Sequence, residues 1–267
     1  MIKNIAHRGA KKIAPENTLF AVEQAINFGA DMWELDVQYT ADKKLIIIHD
    51  DTLERTSDVH LFPQYKKRYP WRVAEFTGKE IKELNFDFSL KNPSNQNSQS
   101  QPTDKKSIPS KYRAPFLDEA ILFSKDNGIQ MNIEIKNIAG LPGHDSIANH
   151  VYALVKDFDF LENALFSSFN HDYLFQIKKI DPKARLAVLM DKPDKNLFSI
   201  LMQLSAEAYH PYFKIIDQFQ IDELHQKGFQ VNVWTLNEMD MMKSYIEMGV
   251  DGIITDDPAL LSFLIDS

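Results

Sequence analysis

Short apolar runs with strand-like composition alternate with amphipathic helical runs along most of this 267-residue chain. Such alternation is typical of a parallel α/β sheet. The runs that we interpret as parallel strands number eight, at 3–7, 33–37, 131–135, 164–169, 185–190, 208–212, 230–236 and 252–255. This count predicts a closed (β/α)8 TIM barrel with its active site at the carboxyl ends of the strands. Because such barrels commonly reach about 200 to 250 residues undivided, we expect residues 1–267 to form one domain.

Predicted helices fill the intervals between these strands. Their apolar residues recur at helical spacing, at 18–28, 116–125, 146–158, 172–180, 196–205, 218–227, 239–248 and from Pro258 onward. The first of them has Asn17 or Thr18 as its N-cap, and Gly29 ends it.

The stretch WELDVQYTADKKLIIIHD carries two carboxylates two residues apart. In a strand this spacing turns Glu34 and Asp36 to one face. The run LIIIHD follows after a few residues, too few for a parallel crossover, so we expect an antiparallel hairpin with His49 roughly opposite Asp36. A histidine beside two carboxylates suggests a metal site with an acid/base group. The alternative is a surface hairpin whose acids are solvated.

Further polar residues fall where other predicted strands end. The first strand ends in His7 and Arg8, and the run MNIEIK ends in Glu134 and Lys136. A third carboxylate would then join the other two, and a divalent ion would relieve their repulsion. All-oxygen ligands favour Mg²⁺ or Ca²⁺ over zinc. The alternatives are an ion pair between Glu134 and Lys136, and Arg8 as a structural cation for Glu34.

Residues 51–113 interrupt the alternation. We expect an insertion at the C-terminal face of the barrel, with one helix at 79–84. Within it, residues 92–110 contain a single large apolar residue, Ile108, and we expect this tract to be flexible.

Composition restricts the class of function. The net charge of −8 argues against nucleic acid as a partner, because nucleic-acid binding depends on Lys and Arg. The absence of cysteine excludes disulfides, zinc sites with Cys ligands and thiol catalysis. We found neither a signal peptide nor a transmembrane segment, so the expectation for a full-length chain is a cytoplasmic protein.

Five motifs together resemble the glycerophosphodiester phosphodiesterases. In chain order they are HRGAKKIAPENT, WELDVQYTADKKLIIIHDDTLERT, NIEIK, VNVWTLN and GVDGIITDDP. The resemblance spans nearly the whole chain and implies hydrolysis of a small-molecule glycerophosphodiester to sn-glycerol 3-phosphate and an alcohol. It also implies one divalent cation, Mg²⁺ or Ca²⁺. The implied roles are general acid/base for His7 and His49, metal ligands for Glu34, Asp36 and Glu134, phosphate contacts for Arg8 and Lys136, and a glycerol-pocket wall for Trp234.

The chain departs from this family at two places. The hairpin turn has Lys43 or Lys44 where the family usually has glycine, and residues 92–110 replace a short, more ordered stretch near the rim. Two other functions stay open: a lysophospholipase D-like enzyme acting on lipid phosphodiesters, and a non-catalytic phosphodiester-binding protein. The sequence also leaves open the leaving alcohol, self-association, and whether water or the glycerol 2-hydroxyl attacks.

Overall fold

The structure, a computed structural model, describes residues 2–87 and 110–266. Within these ranges nine strands and nine α-helices follow one another. The strands are β1 (Lys3–His7), β2 (Met32–Tyr39), β3 (Leu45–Ile47), β4 (Gln130–Ile135), β5 (Ala164–Ser168), β6 (Leu186–Met190), β7 (Ala208–Pro211), β8 (Gln230–Trp234) and β9 (Gly252–Thr255). The helices are α1 (Leu19–Asn27), α2 (Gly78–Ile81), α3 (Leu117–Asn127), α4 (Ile147–Asp157), α5 (His171–Ile180), α6 (Leu197–Leu204), α7 (Gln218–Gln226), α8 (Met239–Glu247) and α9 (Pro258–Ile265).

Eight strands close into a parallel barrel. The sheet order runs β1-β9-β8-β7-β6-β5-β4-β2, and pairing of β2 with β1 completes the ring. The predicted TIM barrel is therefore confirmed, and each predicted parallel strand agrees with the observed one to within two residues at either end. The ring brings the carboxyl ends of all eight strands to one face.

The remaining strand, β3, pairs antiparallel with β2. Val37 lies opposite Ile47, and the amide of Ile48 donates to the carbonyl of Asp36 at 3.0 Å. The expectation that His49 lies opposite Asp36 is thus wrong by one residue. The tight turn at 40–44 sets this register, with Lys43 in the left-handed region at φ 56°. Because β3 ends at Ile47, His49 reaches the barrel mouth from a loop.

Local chemistry explains where the helices begin and end. The side chain of Thr18, rather than that of Asn17, caps α1 by accepting from the amide of Ala21. Gly128 ends α3 in a left-handed conformation, and Asp257 caps α9 ahead of Pro258.

Two layers of apolar side chains hold the barrel. The larger layer lies between the strands and the surrounding helices. A smaller cluster fills the barrel interior, with members Ile5, Met32, Leu165, Ala187, Ala208 and Ile254. The small alanines on β6 and β7 leave room beside them for polar groups, among them the fully buried His210.

The segment after β3 has its own core. Its buried apolar residues include Leu53, Val59, Phe76 and Leu84, packed with Ile46 and Ile48 of the hairpin. The helix expected at 79–84 is the shorter α2, which begins with a capping box formed by Thr77 and Glu80. The tract 92–110, for which we expected flexibility, lies outside the described residues except for Ser110. In the described ranges, none of the helices has the length and apolar character needed to span a bilayer.

His210 is neutral inside the barrel. Its Nε2 atom lies 2.9 Å from Nδ2 of Asn232 and accepts that amide proton. Burial lowers the pKa of His210 from its usual 6.5 to about 3, because the charged imidazolium would lose its hydration.

This lowered pKa predicts a loss of stability in acid. Below pH 6.5 the unfolded chain takes up a proton at this histidine that the folded protein excludes. The contribution of His210 to the free energy of unfolding therefore keeps its full value above pH 6.5 and falls as the pH approaches 3. We expect His210 to contribute a loss of up to about 1.4 kcal/mol per pH unit in that window. Urea denaturation at several pH values would measure it, and His210→Gln should have the shallower dependence. Equal dependence in both proteins would contradict the prediction.

Candidate active site

Three buried carboxylates meet at the carboxyl ends of neighbouring strands. Asp36 of β2 lies in register with Glu134 of β4, and Glu34 lies one inward position earlier on β2. One oxygen from each group lies within 4.8 Å of the other two, and all three residues are buried. The structure thus brings together the three acids that the two-residue spacing placed on inward strand faces.

Two cations surround this acid cluster. Lys136 Nζ lies 2.7 Å from Glu134 Oε1 and 3.2 Å from Asp36 Oδ1. Arg8 Nε lies 3.3 Å from Asp36 Oδ2, and the Arg8 backbone amide donates to Glu34 Oε2 at 3.1 Å. The ion pair between Glu134 and Lys136, considered above as an alternative, is therefore present. The guanidinium of Arg8 pairs with Asp36, and only its backbone amide bonds the Glu34 carboxylate.

The cations do not balance the cluster evenly. Burial and the two neighbouring carboxylates raise the pKa of Glu34 well above its usual value. Burial raises the pKa of Glu134 as well, because attraction to Lys136 does not offset it. For Asp36, burial acts in the same direction, but Lys136 and Arg8 outweigh it and lower its pKa. Two of the three acids would thus gain from an additional positive charge, and their oxygens are the ligands that Mg²⁺ and Ca²⁺ prefer.

His7, the last residue of β1, is oriented by a carboxylate. Its Nδ1 lies 2.6 Å from Asp256 Oδ1, and Asn237 donates to the other oxygen at 3.0 Å. Burial raises the pKa of Asp256, but the bond to His7 outweighs it and the net pKa is low. Because an ionised carboxylate only accepts, His7 carries its proton on Nδ1, and Nε2 can accept one. Burial lowers the pKa of His7.

His49 has the same arrangement. Its Nδ1 lies 2.7 Å from Asp50 Oδ1, so Nε2 is again the ring atom that can accept a proton. Burial raises the pKa of Asp50, but its bonds to His49 and Arg55 outweigh burial and lower it.

Both histidines and two of the acids line one pocket. Four apolar side chains complete the lining. The lining residues are His7, Arg8, Glu34, His49, Asn132, Glu134, Phe169, Leu189, Trp234 and Ile254. Lys136 and Asp36 contact this set through Glu134 and Arg8.

Trp234 is held in a fixed orientation at the pocket wall. Its Nε1 donates to the carbonyl of His210 at 2.8 Å, and its ring packs edge-on against Phe169 with centroids 5.5 Å apart. A second ring, that of Tyr212, lies 5.4 Å away on a tilted plane. Trp234 therefore presents a flat apolar surface to a pocket whose lining also includes charged side chains.

Several residues at the site were not predicted from the sequence. Asn17, interpreted as a possible helix cap, instead donates from Nδ2 to Asp36 Oδ2 at 2.9 Å. Three other residues support the histidines: Asp256 contacts His7, Asp50 contacts His49, and Arg55 donates to Asp50. Asp50 directly follows His49, and this adjacency was an available signal. The contacts of the others depend on loop conformations that no local pattern encodes.

Comparison with known proteins gives matches along nearly the whole chain. The glycerophosphoryl diester phosphodiesterase family matches residues 7–260. A glycerophosphodiester phosphodiesterase of Caldanaerobacter subterraneus subsp. tengcongensis is 34% identical over 265 residues, which are 98% of this chain and 96% of that protein. One of Bacillus altitudinis is 34% identical over 266 residues, 97% of this chain and 96% of its own.

Solved structures match the fold. An Oleispira antarctica phosphodiesterase, in complex with the product sn-glycerol-3-phosphate, superimposes with a TM-score of 0.77 at 24% identity, covering 98% of this chain and 96% of that one. A glycerophosphodiester phosphodiesterase from Agrobacterium tumefaciens gives 0.75 at 24% identity, covering 98% and 100%. These similarities support the barrel architecture.

The loop that follows His7 depends on a glycine. Gly9 has φ +83°, and a Cβ added there would lie 2.6 Å from Ala21 Cβ and 2.7 Å from the Ala21 carbonyl carbon of α1. Any larger residue would push the helix away from the loop that follows His7 and carries Arg8. Gly128 has a similar φ of +67°, but an added Cβ would meet no described heavy atom within 4 Å.

We therefore predict that Gly9→Ala costs about 1–3 kcal/mol more folding stability than Gly128→Ala, since both variants carry the left-handed strain and only the first adds the overlap. Urea denaturation of the two variants measures the difference. Equal destabilisation would mean that α1 moves away at no cost.

Proposed function

This chain belongs to the glycerophosphoryl diester phosphodiesterase family and is a phosphodiesterase, and we propose that it hydrolyses glycerophosphodiesters to sn-glycerol 3-phosphate and an alcohol. The observation that carries the proposal is the shared pocket, in which two imidazoles with available Nε2 atoms adjoin a cluster of three carboxylates. A protein that only bound phosphodiesters would need no pair of proton-transfer groups.

We propose that Glu34, Asp36 and Glu134 hold one divalent cation, Mg²⁺ or Ca²⁺. The all-oxygen donor set and the raised pKa values of the two glutamates support this assignment. When bound, the ion would withdraw negative charge from the phosphodiester.

Arg8 and Lys136 are the proposed phosphate contacts. Both lie beside Asp36 at the edge of the acid cluster, and their charges can offset the negative charge that builds up on the phosphate oxygens in the transition state. Trp234 is the proposed wall for the glycerol carbons, because it lines the same pocket together with the apolar Phe169, Leu189 and Ile254.

In the proposed mechanism the histidines move two protons. One accepts a proton at Nε2 from the nucleophile, either water or the glycerol 2-hydroxyl, as the new P–O bond forms. The other starts as the imidazolium, with a proton on Nε2 as well as on Nδ1, and donates the Nε2 proton to the alkoxide as the P–O bond to the leaving alcohol breaks. On the glycerol 2-hydroxyl route, water then opens the cyclic phosphate to give sn-glycerol 3-phosphate. Asp256 and Asp50 would stabilise each imidazolium through Nδ1–H.

We also propose that residues 1–267 form a single domain in which 51–113 is an insertion at the C-terminal face. The separate core of the described part of this segment supports that organisation, and so does the contact of Arg55 with Asp50 beside His49.

Replacing either histidine should remove turnover. We expect His7→Ala and His49→Ala each to lower kcat by about 10²- to 10⁴-fold, because each removes one proton transfer. A matched control is His225→Ala, since His225 also pairs with an aspartate, Asp251, but lies on α7 away from the pocket. It should keep wild-type turnover. Near-normal activity in a His7 or His49 variant, with an unchanged circular dichroism spectrum, would contradict that residue's role.

Metal dependence and substrate can be tested together. Release of glycerol 3-phosphate from glycerophosphocholine should require Mg²⁺ or Ca²⁺ added to metal-free protein. Loss of a residue that only supports a metal ligand weakens metal affinity by roughly 10- to 100-fold. Because Asp36 is a proposed ligand itself, calorimetry should show a larger loss of ion affinity in Asp36→Asn. The control, Asp222→Asn, alters an exposed carboxylate on α7 and should bind the ion normally.

The same assay separates the other candidate functions. Turnover of lysophosphatidylcholine with none of glycerophosphocholine would replace the proposal with a lipid-directed enzyme. Ion binding without turnover of either substrate would indicate a binding protein.

A further inference from the structure

Arg55 joins two carboxylates, Asp50 and Glu16, that each contact a residue lining the pocket. Its Nε and Nη2 atoms donate to Asp50 at 2.6 and 2.9 Å. Its Nη1 and Nη2 atoms donate to the two oxygens of Glu16 at 2.8 and 2.7 Å. Both contacts are bidentate, so the planar guanidinium fixes the angle between the two carboxylates as well as their separation.

Each of these carboxylates supports a different residue of the proposed mechanism. Asp50 orients the His49 ring through Nδ1. Glu16, whose side chain is 6% exposed, accepts from Arg8 Nη1 at 2.9 Å, and Arg8 in turn lies beside Asp36. The chain of contacts therefore runs from a proposed proton-transfer group through Arg55 to a proposed phosphate contact.

We propose that Arg55 is a positioning residue for the reaction: it orients His49 through Asp50 and Arg8 through Glu16, so that the two groups keep a fixed relation. This inference rests on the proposed function. Arginine is required by its geometry, since a lysine ammonium could supply the charge but could not hold two carboxylates with paired parallel bonds. Without Arg55, Asp50 could rotate away from the His49 ring, and Glu16 would pair with Arg8 at an unconstrained angle.

The two arms predict different kinetic effects. Asp50→Asn should act mainly on kcat, because it disturbs the orientation of His49. Glu16→Gln should act mainly on KM, because it disturbs Arg8 and hence phosphate binding. Arg55→Ala should do both, with kcat lower by about 10- to 100-fold, the scale expected for small misplacement of a reacting group.

The chain offers a closely matched control. Arg72 lies in the same segment, its side chain is 49% exposed against 46% for Arg55, and it too contacts an aspartate, Asp51, at 3.1 Å. Arg72→Ala should keep wild-type kcat and KM for glycerophosphocholine. Its melting temperature gives the reference for losing an arginine ion pair from this segment.

Two further variants separate positioning from charge and from stability. Arg55→Lys should keep the melting temperature within a few degrees of Arg72→Ala and still lose most of the turnover that Arg55→Ala loses. The double variant Asp50→Asn/Arg55→Ala should have a kcat close to that of whichever single variant has the lower kcat. Both changes break the same contact, the one through which Arg55 and Asp50 orient His49. Full activity in Arg55→Lys, or additive losses in the double variant, would overturn the inference.

A measurement without turnover tests the inference independently. The downfield proton NMR signal of His49 Nδ1–H, identified by its loss in His49→Ala, should broaden or shift in Arg55→Ala and stay unchanged in Arg72→Ala. An unchanged signal in Arg55→Ala would overturn the positioning role. If the wild-type protein with either ion releases no glycerol 3-phosphate, the proposed function fails while this spectrum still decides whether Arg55 orients His49.

Discussion

Repulsion among three buried carboxylates is the constraint around which this barrel mouth is built. Glu34, Asp36 and Glu134 are held together by the pairing of β2 with β4, and they cannot move apart without breaking this strand pair of the closed barrel. Lys136 and Arg8 stabilise Asp36, whereas burial keeps the pKa of both glutamates high. The two side-chain cations therefore do not neutralise the acid cluster, and a bound cation would supply the missing positive charge beside the phosphodiester.

The proposed proton-transfer groups follow a common plan although they come from different parts of the chain. His7 ends a barrel strand, whereas His49 lies in the loop after β3, yet each ring bonds an aspartate through Nδ1. The aspartate fixes the tautomer and the ring plane, and it favours the charged form that a proton transfer produces. The barrel supplies the three acids and His7, and the loops supply His49 and the aspartates that orient both rings.

The barrel and the acid cluster could be predicted because both depend on local periodicity. Alternation along the chain gave eight parallel strands, and the two-residue spacing of Glu34 and Asp36 placed both side chains on the inward face. The position of His49 was missed by one residue because a turn with Lys43 at positive φ sets the hairpin register. Contacts such as Asn17 with Asp36, or Arg55 with Glu16, join loops that are distant in sequence, and only the folded chain defines them.

The bond between His7 and Asp256 joins the beginning of the chain to its end. His7 comes from the first strand and Asp256 follows the last, and β1 pairs directly with β9. Orientation of this imidazole therefore waits for the final strand to dock. Between the synthesis of Glu134 and that of Asp256, a polypeptide emerging from the ribosome would carry all three acids and both histidines without an aligned His7, so competence arises only with ring closure.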